Sequence, residues 1–337
     1  MIFEKIKNLN YLLIFLLILI SFIGAAGLYS AADGSYQPWA SRHLVRFYVF
    51  LLMAIVISFI DIKIIYRYSY VLFGLTLLLL ISVEIIGVLG KGATRWIRVF
   101  GFSIQPSELV KITIILAFVF VVIQPDLGTS LSILILGAFI LFLAGIRLWK
   151  FLLGFIITIV SIPIFLQSIK PYQRDRIISF LNPESDPLGK GYQLIQSKIA
   201  LGSGGATGKG FLQGTQSYLE YLPEKQTDFI FTLIGEEFGF LGTIFIICLF
   251  ILLIAVCYFI SIKCFHTYGR ILALGVASNI FIYVFMNIAM VSGLMPVVGI
   301  PLPLISYGGS VMLSIMISIG LVLNVELNYN LKKLNNA

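Results

Sequence analysis

What most limits this chain is a series of long stretches without charge. Ile271–Val325 runs for 55 residues with no Asp, Glu, Lys or Arg. Tyr11–Tyr29, Phe47–Ile60, Tyr68–Val83, Leu127–Ile146, Phe151–Ile169 and Phe238–Ile262 are equally bare. In hydrocarbon every backbone polar group must pair within the protein, which leaves helices and closed barrels. One helix crosses with about 20 apolar residues, so the 55-residue stretch holds at least two. Pro296, Pro303 and Gly308-Gly309 mark the turn inside it. Charged residues make up 11% of the chain, against about 25% in soluble domains. A disordered chain and an ordinary soluble domain are excluded. The expected class is an all-α polytopic membrane protein, with residues 1–337 as one integral domain.

The net charge of +8 is carried mainly by short segments between the apolar runs. This pattern indicates orientation by the positive-inside rule and no nucleic-acid partner. Lys5 and Lys7 ahead of Tyr11–Tyr29 imitate a secretory signal. The apolar run exceeds a usual signal core and many spans follow, so a retained first helix is expected. With the N-terminus in the cytoplasm, Lys63–Arg67, Arg147–Lys150, Lys263–Arg270 and Lys332–Lys333 form a coherent inside set. Ala31–Arg46, Gly90–Gln105 and a long loop over residues 170–227, with short amphipathic or irregular elements, then lie outside. The loop carries seven Lys and Arg, and long loops report orientation poorly. Cys248, Cys257 and Cys264 have no metal-type spacing and are expected as core or lipid-facing hydrophobes.

The crossings do not alternate cleanly. Only Ile112–Ile123, 12 uncharged residues, separates Gly90–Gln105 and the Glu108/Lys111 segment from Gln124. That is too short for one ordinary span. About nine spans are readable. Either the stretch is re-entrant, or a helical hairpin is absent near residues 118–121.

Ionisable groups at membrane depth are costly and mark function by default. Pro106 suits the first turn of a helix, with Glu108 in that turn and Lys111 on the same face. The pair either positions the helix or lines a polar cavity where Lys111 meets a phosphate. Asp126, in Gln124–Ser130, is an N-cap or a contact to substrate or metal. Gly202–Gly210 resembles a nucleotide loop but fails the P-loop spacing: five residues separate Gly202 from Gly208, and Gly210 follows Lys209. It is a flexible turn, or a backbone nest that holds a phosphate with Lys198 and Lys209. Asp228 is the sharpest candidate, where a polar loop enters an apolar helix. It is an N-cap, or a half-desolvated carboxylate able to take a proton. Gly235 and Gly239 form a small-xxx-small pair that permits close helix packing. Glu236 and Glu237 are expected to pair with polar groups inside the bundle.

Seven ordered motifs resemble the SEDS family (shape, elongation, division and sporulation): Gly92–Ile97, Gln105–Lys111, Gln124–Ser130, Asn182–Leu188, Gly191–Gly210, Gly214–Phe231 and Met295–Ser310. The likeness covers roughly Gly87 to the C-terminus, and Gly208–Phe211 and Gly214–Ser217 are closer to the elongation members than to the division members. It implies a ten-helix bundle in the bacterial cytoplasmic membrane, with both termini cytoplasmic. It implies polymerisation of lipid II at the outer face, beside a class B penicillin-binding protein that cross-links the product. The family's catalytic aspartate falls on Asp228, its Arg-Trp motif on Arg95 and Trp96, and its Glu/Lys pair on Glu108 and Lys111. The family has much more chain between the Glu108–Lys111 and Gln124–Ser130 motifs, where the crossings fail to alternate here.

On that resemblance the reaction is an inverting glycosyl transfer. Asp228 accepts the proton of the sugar 4-hydroxyl of one lipid II as it attacks the anomeric carbon of another. Lys111, Lys198, Lys209 and Arg174 are available to the departing pyrophosphate, and Arg95 and Trp96 shape the cavity mouth. No nucleotide cofactor is expected; a divalent cation such as Mg or Mn is an alternative to the cationic side chains. Polyprenyl tails lie among membrane lipids in a groove between helices. The rival readings are a lipid II flippase and a non-enzymatic scaffold for the penicillin-binding protein. A transporter often shows an internal repeat, and none is evident.

Overall fold

The computed structural model describes residues 2–86, 88–90, 93–99, 102–104, 135–138, 149, 152–153, 156, 179–183, 189–219, 221–264 and 267–335. Its main elements are α1 (Ile2–Lys7), α2 (Tyr11–Ala31), α3 (Ala40–Ser58), α4 (Ile62–Ile86), β1 (Val88–Gly90), β2 (Ala93–Val99), β3 (Phe102–Ile104), α5 (Lys190–Ser203), α6 (Thr215–Tyr218), α7 (Ile230–Lys263), α8 (Thr267–Val291) and α9 (Gly309–Asn335). Among the described residues five helices are long and apolar enough to cross a membrane: α2, α3, α7, α8 and α9. The protein is an α-helical multi-pass membrane protein. The junction near residues 118–121 lies outside the described residues.

Each span follows from an apolar run bounded by polar residues. Asn10 caps α2 by accepting from the Leu13 amide at 2.9 Å, and its own amide donates to Glu326 on α9 at 3.0 Å. α9 is the most deeply buried span and packs most extensively against α3. A Cβ at Gly320 would lie 2.8 Å from the Ala54 carbonyl, so glycine is what lets these two backbones touch. Asn324 donates to the Ile57 and Ser58 carbonyls, both at 3.1 Å, and satisfies the exposed end of α3.

Two differences from the sequence expectation stand out. α7 starts at Ile230, eight residues before the uncharged run, because Glu236 and Glu237 find partners inside the protein. It is also bent. Gly239 has φ 64° and ψ −160°, so it is a break between two helical halves and not half of a regular small-xxx-small packing pair. The second difference is a small antiparallel meander, ordered β1-β2-β3, in the segment expected to be an outer loop. Its strands pair Leu89 with Thr94 and Arg98 with Ser103.

Of the basic segments expected inside, Lys63–Arg67, Lys263–Arg270 and Lys332–Lys333 adjoin the same end of the bundle, while Arg147 and Lys150 lie outside the described residues. There Lys5 donates to the Phe59 carbonyl at 2.8 Å and Arg270 to the Cys264 carbonyl at 3.3 Å. The opposite end holds the end of α2, the starts of α3 and α7, α5, and the link from α8 to α9. That link, residues 292–308, is not helical, yet Val297, Ile300, Leu302, Leu304, Ile305 and Ser306 are all buried. Irregular backbone at this depth is tolerated only where protein covers it. On α2 the cover is intimate: a Cβ at Gly24 would meet Ile305 Cα at 2.6 Å. Cys257 and Cys264 are buried, Cys248 is exposed, and all three are free thiols.

Candidate functional site

Asp228 stands two residues ahead of α7, half-buried, at the end of the bundle opposite the basic cluster. The N-cap position belongs to Phe229, which has no capping side chain, so Asp228 is not the N-cap. Its carboxylate lies over Gly299 in the buried link. A Cβ at Gly299 would be 3.3 Å from Asp228 Oδ2, and Gly299 has φ +76°. Glycine is required there twice, for the left-handed backbone and for the room.

The segment that carries Asp228 is held by its carbonyls. The Tyr307 amide donates to the Gln226 carbonyl at 2.9 Å. Ser306 Oγ donates to the Thr227 carbonyl at 2.6 Å and accepts from the Leu302 amide at 2.8 Å. Asn287 on α8, fully buried, donates to the Asp228 carbonyl at 3.0 Å and to the Ile300 carbonyl at 2.7 Å. Three consecutive carbonyls are thus tied to α8 and the buried link. On the other side Lys225 reaches Asp33, beyond the end of α2, at 3.3 Å. This bracing fixes the backbone beneath the carboxylate, which a general base needs.

The glycine-rich loop does something different from holding a phosphate nest. It grips the bend in α7. The Lys209 and Gly210 amides donate to the Glu236 and Glu237 carbonyls at 3.0 Å each. The Phe240 and Leu241 amides donate back to Gly205 and Ala206 at 2.9 and 3.1 Å. A Cβ at Gly208 would come within 2.0 Å of the Glu237 carbonyl, and one at Gly204 within 2.1 Å of Gly235. Lys209 Nζ pairs with the buried Glu236 carboxylate at 2.7 Å. The same carboxylate accepts from Thr215 Oγ1 and the Gln216 amide, both at 3.0 Å. Glu237 is held by the Ser30 hydroxyl of α2.

Lys198 lies exposed on α5, against the end of α8: a Cβ at Gly293 would sit 2.6 Å from its Nζ. Its neighbour Ser197 anchors the helix through Thr232 at 2.7 Å and the Val291 carbonyl at 2.8 Å. Lys198 and Asp228 therefore border the same link. Arg95 and Trp96 lie on β2, where Trp96 is in register with Val88. Glu108, Lys111, Asp126 and Arg174 lie outside the described residues. Sequence reasoning passed over Asn287 and Ser306. A polar Asn within a 55-residue uncharged run was the available signal.

A family model for cell cycle proteins, covering FtsW, RodA and SpoVE, matches residues 6–118 and 112–331. The chain belongs to this family. Residues 112–118 serve both as the end of the first matched stretch and as the start of the second, close to the place where the crossings fail to alternate. Among the family's members, the peptidoglycan glycosyltransferase MrdB of Escherichia coli K12 is 40% identical over 326 residues, covering 88% of each chain. A probable peptidoglycan glycosyltransferase FtsW of Trichlorobacter lovleyi is 36% identical over 370 residues, covering 98% of this chain and 96% of that one. In three dimensions a chain from work on coordinated polymerisation and crosslinking by a peptidoglycan synthase complex superposes with TM-score 0.81 at 30% identity, over 95% of this chain and 98% of its own. The rod shape determining protein RodA of Thermus thermophilus superposes with TM-score 0.69 at 25% identity, over 94% and 96%.

Proposed function

We propose that this protein is a peptidoglycan glycosyltransferase that polymerises lipid II into glycan strands at the outer face of the bacterial cytoplasmic membrane. Membership of the family and the names of its relatives support the activity. The observation that carries the mechanism is the seating of Asp228: half-buried, over a glycine, on a backbone braced at three successive carbonyls.

In this reading Asp228 accepts the proton of the acceptor's sugar 4-hydroxyl. The freed oxygen forms the new bond to the anomeric carbon of the donor. The bond from that carbon to the pyrophosphate breaks, and the polyprenyl pyrophosphate leaves with inversion. General-base assistance contributes about 10²- to 10⁴-fold. Lys198, Arg95, Trp96, Glu108, Lys111, Asp126 and Arg174 remain the proposed substrate contacts. Lys209, committed to Glu236, acts in this reading through the loop it holds. Among the described residues no group of three His, Cys, Asp or Glu side chains is placed to bind a metal.

The basic end of the bundle is assigned to the cytoplasm, with both termini there and residues 170–227 outside. The partner is a class B penicillin-binding protein, in keeping with the structural neighbour from work on coordinated polymerisation and crosslinking. A flippase has no need of a base beside a hydroxyl. The test is lipid II polymerisation by the purified full chain, alone and with its partner. Asp228→Asn should lose at least about 100-fold in polymer formation while retaining the wild-type thermal unfolding profile. Near-normal polymer from that folded variant would overturn the assignment, and lipid translocation without polymer from the wild type would favour the flippase.

A further inference from the structure

Among the described residues at the site, Arg46 is a half-buried basic side chain in no ion pair. It sits six residues into α3 and is half-buried. Its guanidinium lies 5.0 Å from the centroid of the Tyr307 ring. Gly309 also borders the guanidinium: a Cβ there would be 3.3 to 3.5 Å from three of its atoms. Tyr307 is the residue whose amide holds the Gln226 carbonyl, two residues from Asp228. Among the described residues the ion pairs are Lys209–Glu236 and Lys225–Asp33, and Arg46 belongs to neither.

An arginine inside a span is costly unless an anion meets it. A ring and a glycine lie against the Arg46 guanidinium, which leaves its N–H edge for a ligand. That edge is a fork of donors matched to phosphate oxygens. Position separates it from a lipid-headgroup anchor. Arg42, one turn earlier, is exposed with Val45, Tyr48 and Val49 on the outward side of α3. Arg46 lies between that side and the buried His43 and Phe47, half-buried, with its guanidinium against Tyr307 and Gly309.

We propose that Arg46 binds the pyrophosphate of the polyprenyl-linked substrate, with Tyr307 and Gly309 holding its guanidinium in plane. The proposal rests on the glycosyltransferase reading for the identity of the ligand. The stacking fixes the fork before the substrate arrives. Arg46 therefore supplies orientation as well as charge at the position the leaving group occupies.

The experiment measures binding of polyprenyl pyrophosphate, without sugar, to the full-length protein in neutral detergent. Polyprenol and phosphatidylglycerol are the other two arms. R46Q is expected to weaken polyprenyl pyrophosphate binding about 10- to 100-fold. Polyprenol affinity should change less than about twofold, and R46K should fall between R46Q and wild type. Equal pyrophosphate affinity in R46Q and wild type would overturn the proposal. So would phosphatidylglycerol binding as tightly as the pyrophosphate lipid, which would make Arg46 a bilayer anchor. Should R46Q fail to fold, phenylglyoxal modification of the wild type decides, read by peptide mass spectrometry. Polyprenyl pyrophosphate should protect Arg46 where polyprenol does not, and equal labelling with either would overturn the proposal. None of these readouts needs turnover, so absence of polymer from the wild type would count against the activity alone.

Discussion

Asn287→Ala tests whether the backbone beneath Asp228 is placed by one side chain. The amide nitrogen of Asn287 holds the Asp228 carbonyl at 3.0 Å and the Ile300 carbonyl at 2.7 Å, at a fully buried position. Truncation leaves both carbonyls without that donor. A buried acceptor stripped of its partner costs about 1–3 kcal/mol, so the pair sets an upper range of about 2–6 kcal/mol. The Asn287 Oδ1 has no hydrogen-bond partner of its own, and its removal recovers part of that. A net loss of about 2–4 kcal/mol in stability is the expected outcome. The effect on turnover should be larger than the effect on substrate affinity. A displacement of about 1 Å at a reacting group costs about 100-fold, and the loop can shift by that much once the bridge is gone. Asn287→Asp should be worse than Ala, because it places a carboxylate opposite two carbonyl oxygens. The assay is lipid II polymerisation across substrate concentrations, beside thermal unfolding of each variant. A kcat within threefold of wild type for Asn287→Ala, or a more active Asn287→Asp, would refute the positioning argument.

Gly299→Ala should cut polymer formation at least tenfold with a modest drop in unfolding temperature, since φ +76° costs a non-glycine about 1–2 kcal/mol and the methyl would crowd Asp228 Oδ2; wild-type activity would show that the carboxylate works from elsewhere. Gly208→Ala should loosen the loop on the bend of α7, because its Cβ would overlap the Glu237 carbonyl at 2.0 Å; limited proteolysis within residues 203–214 should speed up, and an unchanged cleavage rate would count against the clamp. Lys209→Met should destabilise by up to about 3 kcal/mol, since it takes the cation from the buried Glu236 carboxylate and leaves the Thr215 and Gln216 donors in place. Pairing it with Glu236→Gln should restore much of the unfolding temperature, and no recovery in the double variant would show that the ion pair is not what is lost.

The spans were legible because hydropathy acts one residue at a time. Tyr11–Tyr29 against α2 and Ile271–Val325 against α8 and α9 differ only at their ends. The break near Pro296, Pro303 and Gly308-Gly309 was legible for the same reason: proline and glycine interrupt helices wherever they stand. The start of α7 was not legible. Two adjacent glutamates end a hydropathy run, and Lys209, Thr215, Gln216 and Ser30, distant in sequence, make them tolerable inside. The glycine-rich loop misled in the opposite direction. Glycines that leave backbone free to hold a phosphate look the same in sequence as glycines that let backbone touch backbone. The β meander was missed because its strands are short and lack a clean alternation.

The sequence by itself determined that the chain crosses a membrane several times, which end of the bundle carries positive charge, and that Asp228 stands where a polar loop meets a span. Each of these depends on local residue type and spacing. The tertiary structure decided the surroundings of Asp228. It seated the carboxylate over Gly299, tied its backbone to Asn287 and Ser306, and brought Arg46 onto Tyr307. Those partners are separated from Asp228 by tens to nearly two hundred residues, and no local pattern encodes a contact across such distances. Only packing of helices around the buried link between α8 and α9 brings them to one place.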